Sequence, residues 1–168
     1  MPTQRVIDVY QFDELSSKAK ERARDWYRSG ALDYEWWDHT YDDAKEVGIK
    51  ITSFNLDRGS ISGDFIHGAR FTARAILNNH GKSTKTYQDA MKFLAGKSSS
   101  KKRSPMPYAD AHEDQRHHST MDSEFLRTIL KDYLEILRNE EAWLLSDESV
   151  DETIRANEYE FNAQGKRI

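Results

Sequence analysis

Apolar and polar residues change their period several times along the chain, and each change marks an element. Arg5 to Phe12 (RVIDVYQF) is β-branched and aromatic, which predicts a first strand. From Asp13 the spacing lengthens. Leu15, Ala19, Ala23 and Trp26 recur three or four residues apart, the signature of one helix face, with Asp13 or Ser16 as its cap and Gly30 as its stop. Tyr34, Trp37, Tyr41, Ala44 and Gly48 form a second apolar stripe, and Glu35, Asp38, Asp42 and Glu46 lie behind it, so an amphipathic helix is predicted here. Ile49 to Leu56 and Ser60 to Ile66 read as two strands joined by Asp57-Arg58-Gly59, an antiparallel hairpin. Within the first, the apolar phase slips from Ile49 and Ile51 to Phe54 and Leu56, which predicts a bulge near Thr52 or Ser53.

Helical spacing returns at Ala69 to Asn79 and at Thr84 to Leu94, where Gly96 is expected to end it. Lys97 to Ser119 is polar, contains two of the three prolines and has no period, so a mobile surface loop is expected. Met121 to Leu145 carries the widest apolar stripe, built on Leu126, Leu130, Tyr133 and Leu137 and flanked by Phe125, Ile129 and Leu134; it predicts a central helix. Ser149 to Ala156 reads as a short helix. Tyr159 and Phe161 alternate with Glu158 and Glu160 as a last strand. The expected fold is α+β: a single domain over residues 1–168, with a small antiparallel sheet of three to four strands and helices mainly on one face.

Composition narrows the class. The 168 residues suit one core, and the aromatic share of 11% separates the chain from disordered sequences. There is no cysteine, which excludes a disulfide framework and any cysteine-ligated metal centre and suits a reducing compartment. The mean hydropathy is −0.89, and no run of about 18 apolar residues occurs, so no membrane-spanning helix is expected. The opening residues Met1-Pro2-Thr3-Gln4-Arg5 lead into a mixed run without an apolar leader, which points to the cytoplasm.

The net charge of −4 is unevenly spread. Asp33 to Glu46 holds six acids and one lysine, and Asp132 to Glu160 holds ten acids against Arg138 and Arg155. Lys82 to Arg103 runs the other way, with seven cations against Asp89. Such asymmetry steers charged partners, although an acid-rich helix face is most often simply solvated.

No phosphate-binding glycine loop, zinc-protease pair, nucleophile elbow or calcium loop is present, and no cofactor is implied. Three weaker groupings remain. His112, His117 and His118, beside Asp110, Glu113 and Asp114, hold enough imidazole and carboxylate for a zinc or manganese ion, the ligand set of a metal-dependent enzyme acting on nucleic acid or nucleotide. Lys97, Lys101, Lys102 and Arg103, with Tyr108 to stack on a base, are what nucleic-acid binding would use, but the acidic chain as a whole repels a polyanion. Glu35, Trp36, Asp38, His39, Asp42 and Glu46 share the polar side of the second helix. They suit a basic protein partner, with Trp36 either turned out as an anchor or covering a second core edge.

From Phe12 to Gly96 and from Thr120 to Ile168, the chain resembles a family of small proteins common in tailed phages and prophages, some of whose members carry an antitoxin label. The resemblance lies in FDELSSKAKERARDWYRSGALDYEWWDHTYDDAKEVGIKI, then FNLDRG, GDF and ETIRANEYEFNAQGKRI; the histidine-rich stretch from Lys97 to Ser119 departs from the pattern. It implies a bacterial cytoplasmic setting and an accessory role: binding a host or defence protein without catalysis, as an inhibitor or antitoxin-like module. A homo-oligomer is compatible with all of this.

Overall fold

The computed structural model describes residues 6–101 and 111–168. In chain order they form β1 (Tyr10–Gln11), α1 (Ser17–Arg28), α2 (Asp38–Glu46), β2 (Ile49–Asn55), β3 (Ser60–Phe65), α3 (Ala69–Asn79), α4 (Lys85–Lys101), α5 (Ala111–Leu144), α6 (Asp147–Ala156) and β4 (Glu160–Phe161). This is an α+β protein with two antiparallel pairs, β1 with β4 and β2 with β3. The expected sheet of three to four strands is thus corrected to two sheets of two. The chain divides into two compact units, Met1–Trp36 with Asn139–Ile168, and Trp37–Arg138.

The first unit joins the two ends of the chain. Tyr10 pairs with Phe161 and Gln11 with Glu160. Only these two positions of the expected first strand are extended with a partner; Val6, Ile7 and Val9 are exposed, so β propensity without a surface to pack on does not make a strand. Ser16 caps α1 by accepting the Ala19 N–H at 3.3 Å, and Ser146 caps α6 through Ser149 N–H at 3.2 Å. The two helices bury Leu15, Ala19 and Ala23 against Val150 and Ile154, with Phe12 and Phe161 completing the core. Polar clamps bind their outer flanks. Arg24 grips Asp151 in a bidentate pair at 2.6 and 2.7 Å, Arg28 pairs with Asp147, and Arg155 pairs with Asp13 at 2.9 Å.

The second unit is built on the β2–β3 hairpin. Its register shifts between Ile51 and Ser53, leaving Thr52 as the extra residue of a bulge, as the slipped apolar phase predicts. Ile49 and Ile51 point into a core shared with Ala44 and Val47 from the end of α2, Ala69, Ala73 and Ile76 of α3, Ala90 and Phe93 of α4, and Phe125, Ile129, Leu130 and Tyr133 of α5. Phe93 stacks on Phe125 at 4.2 Å. Gly63 has no room for a side chain, since a Cβ would lie 2.7 Å from Lys50 O and 3.0 Å from Leu130 Cδ2.

Several boundaries differ from the expected ones. Helix α2 starts at Asp38 instead of Tyr34, with Trp37 as its cap residue, so Tyr34, Glu35 and Trp36 precede it. Helix α4 runs past Gly96 to Lys101, and α5 begins at Ala111, so helix occupies both ends of the segment expected as a loop; positions 102–110 lie outside the described residues. The reason is local. Gly96 lets α4 approach Met121, whose Cε would be 2.9 Å from a Cβ there, and the Ser98 and Ser99 hydroxyls donate back to Leu94 O and Ala95 O at 3.0 and 3.1 Å. Polar composition is thereby accommodated inside a helix. No helix among the described residues is long and apolar enough to cross a membrane.

Candidate functional site: the acidic face of helix α2

Helix α2 has an inner flank tied to the core and an outer flank in water. Ala44 is fully buried, and Tyr41 packs edge-on to Phe54 at 6.1 Å, with Trp37 against the same ring at 5.7 Å. Past the helix, Gly48 takes φ +87° to turn the chain into β2. Gly48 O then accepts the Ile66 N–H at 2.8 Å and the Thr72 hydroxyl at 3.2 Å, fixing the helix end to the hairpin and to α3.

The polar anchor is Asp43. Its Oδ2 accepts the Tyr133 hydroxyl at 2.7 Å, and His80 Nε2 stands 3.3 Å from the same oxygen. His80 Nδ1 bonds Thr86 Oγ1 at 2.6 Å, Thr86 donates to Thr84 Oγ1 at 3.2 Å, and Thr84 donates to Gly81 O at 2.7 Å. Asp43 of α2 thus meets both Tyr133 of α5 and the His80 ring at the end of α3, and hydrogen bonds run on from His80 through Thr86 and Thr84 at the start of α4. His80, with help from Tyr133, holds the Asp43 carboxyl below the usual carboxylate range despite its partial burial. Burial and the neighbouring Asp43 carboxylate push the Tyr133 phenol up, so it stays a donor.

The outer flank is unlike the inner one. Asp38, His39, Asp42 and Glu46 are exposed, and at 100° per residue they fall on one side of the helix, with exposed Lys45 among them. Among the described residues none of Asp38, Asp42 and Glu46 has an ion pair, whereas Asp147 and Asp151 of the C-terminal acid stretch are engaged by Arg24 and Arg28.

Other residues singled out in the sequence are placed differently. Glu35 is exposed and Trp36 half-buried, and both precede α2 in the chain. Lys97 is buried, its ammonium 2.7 Å from Asp122 and 5.5 Å from the Phe93 ring centre, so it does not stand in solvent as a phosphate contact would. Lys101 ends α4, while Lys102 and Arg103 lie outside the described residues. His112, His117 and His118 fall on the helical backbone of α5, and their side chains lie outside the described residues.

A second cluster escaped the sequence altogether. Asp89 of α4 and Asp132 of α5 are both buried, and Lys85 Nζ bridges them at 2.6 and 2.9 Å. Burial pushes Asp132 up to about 6, and the neighbouring Asp89 carboxyl adds to this against the pull of Lys85. Burial acts on Asp89 too, but the bond from Lys85 holds it below the usual range. The pair keeps one proton on Asp132 in acid and clamps α4 to α5. Asp43, Asp89 and Asp132 carried no sequence signal that set them apart from solvated acids; only Tyr133, a phenol on an apolar stripe, announced the need for a buried partner.

Comparison with protein-family models, curated proteins and solved structures finds no match.

Proposed function

We propose that this chain is a phage-type accessory protein that works by binding, docking a cationic surface of a host or defence protein onto the outer face of α2. The observation that carries this reading is that, among the described residues, none of Asp38, Asp42 and Glu46 has an ion pair, on a helix whose other side is anchored through Asp43. Exposed carboxylates that outnumber the one lysine on their face leave a local negative potential that speeds and orients encounter with a basic patch. Fixing the helix beforehand lowers the ordering cost of binding. The setting implied by the resemblance to phage and prophage proteins, a bacterial cytoplasm, supplies such partners.

The acids stand exposed in water along one side of the helix, which supports binding over acid–base catalysis at this face. The test is capture from bacterial lysate on immobilised protein, comparing wild type with the triple variant Asp38→Asn, Asp42→Asn, Glu46→Gln. Recovery of the specific partners should drop about tenfold and fall with added salt. Equal recovery by both forms would remove this face from the function.

A further inference from the structure

The acidic strip does not end in polar surface. Two residues beyond Glu46, Gly48 lies under the Phe71 ring, whose Cδ1 would be 2.9 Å from a Cβ at that position. Ile66 is bonded to the same glycine through its N–H, and His67 meets the Phe71 ring at 4.7 Å. Yet Ile66 is 43% exposed and Phe71 48% exposed. A large aromatic half in water, beside a half-exposed Ile and continuous with a charged helix end, has the make-up of an interface anchor with a polar rim.

Charge gives this patch a direction. On α3, Thr72 follows Phe71 by about 100° and faces α2, because its hydroxyl is bonded to Gly48 O. Arg70 lies about 100° the other way and Arg74 about 60° the same way, so both line the flank remote from α2. Both are exposed, and neither has an ion pair among the described residues. The surface therefore carries acid at Asp38, Asp42 and Glu46, apolar Ile66 and Phe71 around Gly48 just past the end of α2, and basic Arg70 and Arg74 on the flank of α3 away from Thr72. The three acids recur once per helical turn, roughly 6 Å apart.

We propose that the partner segment docked here carries cations about a helical turn apart, followed on one side by a bulky aliphatic or aromatic side chain that seats on Phe71 and Ile66. This rests on the reading of α2 as the contact face and adds the anchor that a purely electrostatic contact lacks. Cations placed on both sides of that anchor would meet Arg70 and Arg74, so the segment is polar in one sense only. A run of lysines alone gains the acid contacts but leaves the apolar patch wet.

The probe is a fluorescein-labelled helical peptide of alanine and glutamine, with three lysines one turn apart and a Leu-Phe pair one turn beyond the last. Its control has Ala-Ala in place of Leu-Phe. Anisotropy titrations with the full chain at low salt should show the anchored peptide binding about tenfold more tightly than the control. Phe71→Ser should abolish that difference, while the triple α2 variant weakens both peptides. Circular dichroism of each variant checks that the fold is kept, and Phe71→Leu should preserve most of the preference. Equal binding of the two peptides, or an undiminished preference in Phe71→Ser, overturns the anchor while the acidic-face reading survives if the triple variant still weakens both. Unchanged binding by the triple variant defeats that reading itself, and no binding by either peptide defeats both. Sedimentation showing a dimer that Phe71→Ser dissolves would assign the patch to a second copy of the chain and overturn the proposal.

Discussion

A methyl group on Gly165 would lie 2.0 Å from Ala19 O and 2.8 Å from Ala19 C, with φ at +80°. Both contacts are to backbone, so no rotamer change relieves them, and the terminal turn would have to leave α1. Gly165→Ala is expected to cost about 3 kcal/mol and lower Tm by roughly 10 °C. A Tm within a couple of degrees of wild type would contradict this packing. Asp132 makes a different prediction, because its effect depends on pH. Its carboxyl titrates near 6 when folded against an ordinary 3.8, so between these values the folded protein holds an extra proton. Stability from Asp132 is therefore full at low pH, falls as pH rises through about 4 to 6, and is level above. Asp89, held below its ordinary value, contributes in the opposite sense: its share is present above 3.8 and fades as pH falls further. Asp132→Asn keeps a donor toward Asp89 without the charge. Urea denaturation at several pH values should show a flatter profile between pH 4 and 6, with a gain at pH 7 on the order of 1–2 kcal/mol. A wild-type slope retained in the variant would move the proton elsewhere.

At the scale of elements, α2 separates two acids that are neighbours in sequence. Asp42 is in water and Asp43 receives the Tyr133 hydroxyl. Asp43→Ala leaves that buried phenol without its acceptor and should cost about 2 kcal/mol, while Asp42→Ala should stay within about 0.5 kcal/mol of wild type. Chemical denaturation of the two variants checks the contrast, and similar costs would mean that the anchor is not Asp43. The same pair shows what could and could not be read from the chain. Hydrophobic period located the hairpin, its bulge to within Thr52 or Ser53 and the span of α3, because each has one buried face and a turn residue at its edge. It could not choose between Asp42 and Asp43, since both sit on the polar side of the stripe and the selection is made by His80 and Tyr133 from distant segments. The early start expected for α2 failed because Tyr34 completes a stripe at helical spacing although it is 57% exposed. The stop expected at Gly96 failed for the converse reason: its missing side chain serves a neighbour, Met121, and not a turn.

For the molecule as a whole, the α+β class was legible, whereas the way the strands pair was not. Residues Tyr10 and Phe161 stand at opposite ends of the sequence, and two-residue strands carry too little alternation to announce that they pair with each other. That pairing gives the unit made from the chain ends its own core, Phe12, Leu15, Ala19, Ala23, Val150, Ile154 and Phe161, distinct from the core around Ile49, Phe125 and Tyr133. Compact units with separate cores open as separate cooperative blocks when one is weakened. Phe161 is fully buried in the smaller core, and Phe161→Ala removes its ring from contact with Trp26 at 5.8 Å as well as the β4 anchor. A loss of about 3–5 kcal/mol is expected for that unit. Native-state hydrogen exchange should then show amides of α1, α6 and β4 exchanging faster by two or more orders of magnitude, while β2, β3 and α3 keep their protection. Uniform acceleration across both sets would mean that the protein opens as one block, and α2 could then lose its anchoring whenever the chain ends part.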